Sequence, residues 1–125
     1  MHGTTVATNA VLTGNGATVG LLTTHGYESI LQVARSFCPG GLGGWVSFVK
    51  KPLLAPLELT HGVIERTDAD GTVSTPLNEK QLKEELSALK AKGDVEALTI
   101  SFVNSYVNDT NEQKAAEIAR DIFKD

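Results

Sequence analysis

The chain has one cysteine, one tryptophan and one methionine in 125 residues. A single thiol, Cys38, closes no internal disulfide, so packing and hydrogen bonds must hold the fold, and a reducing, cytoplasmic setting fits. No apolar run approaches the roughly 20 residues that cross a bilayer. No basic stretch followed by an apolar one opens the chain, so no export signal is visible. Basic residues are outnumbered, 11 against 15 acidic, for a net charge of −4. That balance excludes nucleic acid as a main partner, since phosphate binding needs clustered Lys and Arg. Lys50-Lys51 is the only basic doublet, and a solvated loop accounts for it. The histidines, His2, His25 and His61, lack metal-ligand spacing, so no metal site is expected. No phosphate-binding or dinucleotide glycine pattern occurs. Asp68-Ala69-Asp70-Gly71 lacks the later ligands of a calcium loop.

What remains is an ordinary globular composition, 41% hydrophobic and 21% charged. The order of patterns predicts an α/β fold in three segments. Residues 1–36 form a partial α/β subdomain. Val6 to Thr13 is a helix stopped by Gly14-Asn15-Gly16, and Ala17 to Leu22 is a buried strand. Thr23-Thr24-His25-Gly26 turns the chain, and Tyr27, Ile30, Leu31 and Ala34 mark one face of a second helix. Residues 37–56 are a Gly/Pro-rich connector in which Trp45, Phe48 and Val49 should anchor on a neighbouring surface. Residues 57–125 form a small unit of β-hairpin, helix, strand and helix. Leu57 to Arg66 and Thr72 to Leu77 flank Asp68-Ala69-Asp70-Gly71, a hairpin signal. Asn78 caps a helix running to Lys92, with Gln81 placed for a reciprocal cap and Leu82, Leu86 and Leu89 as its apolar stripe. Gly93 ends that helix, Val95 to Val103 is a strand, and a last helix starts near Thr110.

Three polar turns fall beside predicted strands. The first opens the chain: His2-Gly3-Thr4-Thr5-Val6-Ala7-Thr8-Asn9-Ala10. Backbone N–H groups at a Gly-containing turn leading into a helix bind anions, and the hydroxyls of Thr4, Thr5 and Thr8 donate to phosphate or carboxylate oxygens. A Thr-rich helix cap explains the same residues without a ligand. Thr23, Thr24, His25 and Gly26 form the second turn and Asn104-Ser105-Tyr106-Val107-Asn108 the third. Ligands of open α/β sheets gather at the carboxyl ends of strands. A polar turn at the extreme start, where chain ends fray and no apolar run leads in, predicts a portion of a larger protein.

These segments together resemble the N-terminal region of the hydantoinase A/5-oxoprolinase family. The likeness rests on the opening motif from His2 to Ala10, on Leu22-Thr23-Thr24-His25-Gly26-Tyr27 and on Ile30-Leu31-Gln32-Val33-Ala34-Arg35. Glu65-Arg66-Thr67-Asp68-Ala69-Asp70-Gly71 and Ser105-Tyr106-Val107-Asn108 extend it, in the family's order along nearly the whole chain. After the last segment the family has Pro and a His-Glu pair, where this chain has Asp109, Asn111 and Glu112.

The resemblance implies a ribonuclease-H-like, actin-like ATPase fold. It implies part of an ATP-dependent ring-opening amidase or of a related carboxylase subunit, with ATP and Mg in the intact enzyme and none held tightly by this portion. On that reading Gly3, Thr4, Thr5, Thr8 and Asn9 contact the nucleotide or ligand, and Thr23, Thr24, His25 and Gly26 line the same edge. The partners are the parent enzyme's other domains, other subunits or further copies, and the chain alone is inactive. The competing reading is a stand-alone interaction module whose polar turns are caps and whose Trp45, Phe48 and strand edges meet a protein.

Overall fold

The computed structural model describes residues 3–36 and 38–123. The described residues open with helix α1 (Gly3–Thr13), followed by strand β1 (Val19–Thr24). Two one-turn helices follow, α2 (Ile30–Val33) and α3 (Gly41–Gly44), then a 3-10 turn (Leu57–Leu59) and strand β2 (Thr60–Val63). A short hairpin of β3 (Arg66–Thr67) and β4 (Val73–Thr75) leads to α4 (Glu79–Lys92), β5 (Ala97–Ser101) and α5 (Thr110–Ile122). No helix among the described residues is long and apolar enough to cross a membrane.

The sheet is parallel, in the order β2-β1-β5. β1 is therefore the middle strand, with Leu22 opposite His61 on one side and Ile100 on the other. The strand of the amino-terminal segment thus joins two strands of the carboxy-terminal one, which do not pair with each other. Helices α4 and α5 pack against one face of this sheet. Leu82, Leu86 and Leu89, the stripe expected from sequence, are fully buried against Leu22, Leu59, Val63 and Phe102, with Ala115 and Ala119 of α5. Each buried leucine contributes about 1.5–3 kcal/mol over an exposed one.

Local chemistry sets the helix ends. The Asn78 side chain accepts from Gln81 N at 3.1 Å and caps α4. Gly93 closes the helix at φ +74°, a left-handed conformation that glycine adopts without strain. The reciprocal cap expected of Gln81 does not form. Its Oε1 accepts from Ile64 N at 3.0 Å and its Nε2 donates to Gly62 O at 2.8 Å, so it ties α4 to the end of β2.

That tie accounts for a second difference. Leu57 to Arg66 is not one strand, because Ile64 turns out of the sheet to bond Gln81 and Asn78, and pairing resumes in the hairpin at Arg66. Thr23 and Thr24 belong to β1 rather than to the turn, since ladder partners on both sides reach as far as Val63 and Ser101. Gly3, Thr4 and Thr5 lie in the backbone of α1, which starts earlier than Val6.

The expected second helix is one turn, stopped by Ala34 at φ +49°. Lys50 Nζ donates to the carbonyls of Gln32 at 2.5 Å and Val33 at 3.1 Å, supplying acceptors at the helix end with a donor. Lys50 of the basic doublet thus ties the connector to the end of α2, while Lys51 is exposed. In that connector Trp45, Val46 and Val49 are exposed.

Candidate functional site at the carboxyl edge of the sheet

The carboxyl ends of β1, β2 and β5 lie side by side, and a buried polar cluster sits where they meet. Thr24 ends β1, and its Oγ1 donates to Glu65 Oε1. The same oxygen accepts from Val103 N at 2.9 Å, just beyond β5. Glu65 Oε2 accepts from Asn111 Nδ2 at 2.9 Å, in the first turn of α5. Thr24, Glu65 and Asn111 are respectively 2%, 3% and 4% exposed, so water does not stand in for any of these bonds.

Two further contacts brace the cluster. Glu112 Oε1 accepts from Phe102 N at 2.8 Å. Asn104, in the left-handed region at φ +62°, donates from Nδ2 to Thr67 O at 2.9 Å. A short polar side chain tolerates that backbone better than a branched one. Among the described residues no buried side-chain nitrogen or oxygen lacks a partner. A fully satisfied buried network of this kind fixes one arrangement of the loops that carry it.

Outside the cluster the edge is open and charged. Arg66 donates from a guanidinium nitrogen to Tyr27 Oη at 3.1 Å, with its central carbon 5.4 Å from the ring centroid and Asp68 4.0 Å away. The hydrogen bond to Tyr27 raises the Arg66 pKa further above its ordinary value, so this group is a permanent cation. His25 follows β1 and bonds Val63 O through its backbone N–H at 2.8 Å. Its ring nitrogen lies 3.2 Å from Glu28 Oε1, which also accepts from Gly26 N at 3.1 Å. Gly62 makes room for this turn. A Cβ there would stand 1.8 Å from Glu28 Oε1 and 3.0 Å from His25 Cα.

Burial pushes the Glu28 carboxyl up, but the N–H groups of Glu28 and Gly26 and the neighbouring His25 outweigh it and hold the carboxyl below its ordinary 4.5. A depressed carboxyl adds stability above its unfolded pKa and loses it as pH falls through the folded value. Glu28→Gln is therefore expected to be less stable than the parent at neutral pH, with the gap closing below about pH 4. Urea midpoints across pH check this; a gap that stays constant with acid would refute it.

The structure brings together part of the residue set expected from sequence. Thr24, His25 and Gly26 sit at the edge with Glu65. Thr23 and Thr24 are buried, and the Thr24 hydroxyl is committed to Glu65 and Val103. His25 and Gly26 are exposed. Thr8 and Asn9 lie exposed on α1, and Asn9 O accepts from Thr13 Oγ1 at 2.7 Å. The side chains of Thr4 and Thr5, and His2 as a whole, lie outside the described residues. Sequence reasoning gave no role to Glu65, Asn111 or Arg66. All three stand in or beside the segments that carried the family likeness, which was the available signal.

A mixed α/β chain built on a parallel sheet, with a polar carboxyl edge, is the class that this geometry defines. Within that class the chain belongs to the hydantoinase/oxoprolinase family, whose N-terminal region model matches residues 1–123. It is 32% identical over 136 residues to the acetophenone carboxylase gamma subunit of Aromatoleum aromaticum, covering 99% of this chain and 18% of that protein. Acetone carboxylase, solved nucleotide-free in a study of ATP-dependent acetone carboxylation, superposes with a TM-score of 0.81 at 30% identity, over 93% of this chain and 17% of that one. The ATP-dependent caprolactamase of Pseudomonas jessenii gives a TM-score of 0.80 at 30% identity with the same coverage. The chain therefore spans less than a fifth of the length of these relatives.

Proposed function

We propose that this chain is one structural part of an ATP-dependent enzyme that opens cyclic amides or carboxylates a small ketone. The observation that carries the reading is the family match along residues 1–123 combined with two ATP-dependent enzymes that share this fold at 30% identity. A ribonuclease-H-like, actin-like ATPase architecture for the intact enzyme agrees with the parallel sheet and with helices packed on it.

No group of three His, Cys, Asp or Glu side chains among the described residues converges as metal ligands, but Mg bound with a nucleotide needs only one or two carboxylates beside the phosphates. On this reading the chain, less than a fifth of its relatives' length, shares the nucleotide with other parts of the enzyme, and alone neither holds it tightly nor turns over. Its own contribution is positional. The Thr24-Glu65-Asn111 cluster fixes the edge, His25, Gly26 and Arg66 present polar groups from it, and the start of α1 with Gly3, Thr4, Thr5, Thr8 and Asn9 offers donors to an anion. Thr23 and Thr24 hold the edge from within. Phosphoryl transfer depends on such positioning and on charge stabilisation.

A chimera tests this. Residues 1–123 replace the matched region of the caprolactamase, and lactam-dependent ATP hydrolysis is measured. Retention of activity within about a hundredfold of the parent, a positioning loss of the size a small misplacement causes, is expected. A folded, fully assembled chimera with no lactam-dependent hydrolysis would defeat the proposal.

A further inference from the structure

Burial alternates along Glu65-Arg66-Thr67-Asp68: Glu65 and Thr67 are buried, Arg66 and Asp68 half-buried. That is the period of extended backbone, so the bonds that pin Glu65 inside turn Arg66 to the opposite side. Tyr27 is fixed from β1, because its backbone N–H donates to Thr24 O at 3.0 Å. The two residues are 39 apart in the chain and meet at the carboxyl edge, where Arg66 Nη1 donates to Tyr27 Oη at 3.1 Å. That bond uses one of the five N–H groups of the guanidinium. Asp68 stands 4.0 Å from Nε, beyond hydrogen-bond reach. The Tyr27 oxygen accepts from Arg66, so its own hydrogen is left to give to another acceptor.

We propose that Arg66 and Tyr27 form a binding site for a phosphoryl group. This names a ligand class for the edge described above, and it rests on the proposed function for where the phosphate comes from. A guanidinium fork takes two oxygens of such a group at once. The Tyr27 hydroxyl adds a third donor beside it. The Tyr27 ring, its centroid 5.4 Å from the guanidinium carbon, holds the fork in place, so less side-chain freedom is lost on binding. Charge selects the phosphoryl group over a carboxylate. Asp68 already sets one negative charge near the fork, and a free carboxylate offers no more than Asp68 does. A phosphoryl group carries about −1.5 to −2 at neutral pH and outcompetes Asp68 for the fork. The same aspartate repels the incoming anion, which keeps the site weak and its occupant exchangeable.

Anion titrations of this chain test the site. The parent, Arg66→Lys, Tyr27→Phe and Asp68→Asn are titrated with inorganic phosphate, methyl phosphate and acetate at constant ionic strength. The pH is about 7.5, where phosphate is mostly the dianion. Binding is followed through the backbone amide resonances of residues 25–28 and 66–68. The parent is expected to saturate with phosphate in the millimolar range and to bind acetate about fivefold or more weakly. Arg66→Lys loses the fork and should weaken phosphate about tenfold, and Tyr27→Phe about threefold. Asp68→Asn removes the competing charge and should tighten phosphate about threefold, a gain that damage to the fold does not produce. Methyl phosphate binding as tightly as phosphate marks a monoester, such as the end of a nucleotide, as the source. Binding of phosphate alone marks the free ion, and either result upholds the site. Shifts that stay linear to about 0.1 M phosphate, or an Asp68→Asn chain that binds no tighter than the parent, would overturn the proposal. Simple anions and this chain alone are used, so the outcome is independent of whether the chimera turns over.

Discussion

Glu65→Ala is expected to lower the free energy of unfolding by about 2–5 kcal/mol, whereas Glu65→Gln costs less than about 1.5 kcal/mol. Alanine removes both acceptors at once. The Thr24 hydroxyl and the Asn111 amide are then buried donors with nothing to accept their hydrogens, and each such orphan costs about 1–3 kcal/mol. Glutamine keeps one oxygen for the Thr24 hydroxyl. Its new amide group faces Asn111, which accepts it by turning its own amide over so that the oxygen points inward. The ordering of the variants therefore separates a network held by donor and acceptor matching from one held by packing alone. Urea denaturation of the three chains reads it directly. Equal losses for alanine and glutamine would show that the pattern of donors and acceptors is not what holds Glu65 in place.

The second large effect lies in the apolar layer. Leu86 is fully buried in the middle of α4, between the sheet and α5. Leu86→Ala is expected to cost about 2–5 kcal/mol, the lost transfer energy plus the cavity left where the sheet cannot follow the helix inward. A domain of this size has a total stability of about 5–15 kcal/mol, so the thermal midpoint should fall by more than 10 °C or so. Leu86→Met, nearly equal in volume, should recover most of it. A loss below about 1 kcal/mol on truncation would mean that α4 is not pressed against the sheet as described.

Much of the fold was legible because helix signals are local. Asn78 before α4, the leucines at 82, 86 and 89 and Gly93 after it lie within one stretch of chain, and each is found as the pattern implies. Asp70-Gly71 likewise marks the hairpin between β3 and β4. What was not legible depends on partners distant in sequence. Nothing near Thr23 and Thr24 says that ladders from β2 and β5 will carry β1 two residues further. Nothing near Gln81 says that its amide will serve Ile64 and Gly62 instead of its own helix start. Glu65 is the clearest case. Beside an arginine in a polar stretch it reads as a surface charge, and only the meeting of three strand ends with α5 buries it.

The short motifs carry the family likeness, and the residue types within them point to Gly3, Thr4, Thr5, Thr8, Asn9, Thr23, Thr24, His25 and Gly26 as turn residues. Regular structure absorbed several of those, Gly3, Thr4 and Thr5 into α1 and Thr23 and Thr24 into β1. The buried cluster joins Thr24, at the end of β1, to Glu65 and Asn111, which lie beyond the strand ends.

The middle position of β1 also bears on synthesis. Its flank opposite β2 is completed only by Ala97–Ser101, more than seventy residues downstream. A nascent chain on the ribosome therefore exposes one open ladder of β1 until residue 101 has left the exit tunnel, and closure of so distant a contact is slow. Premature termination between β2 and β5 would release a polypeptide with Leu21 and Leu22 beside an unfilled gap, a natural substrate for chaperones or proteases.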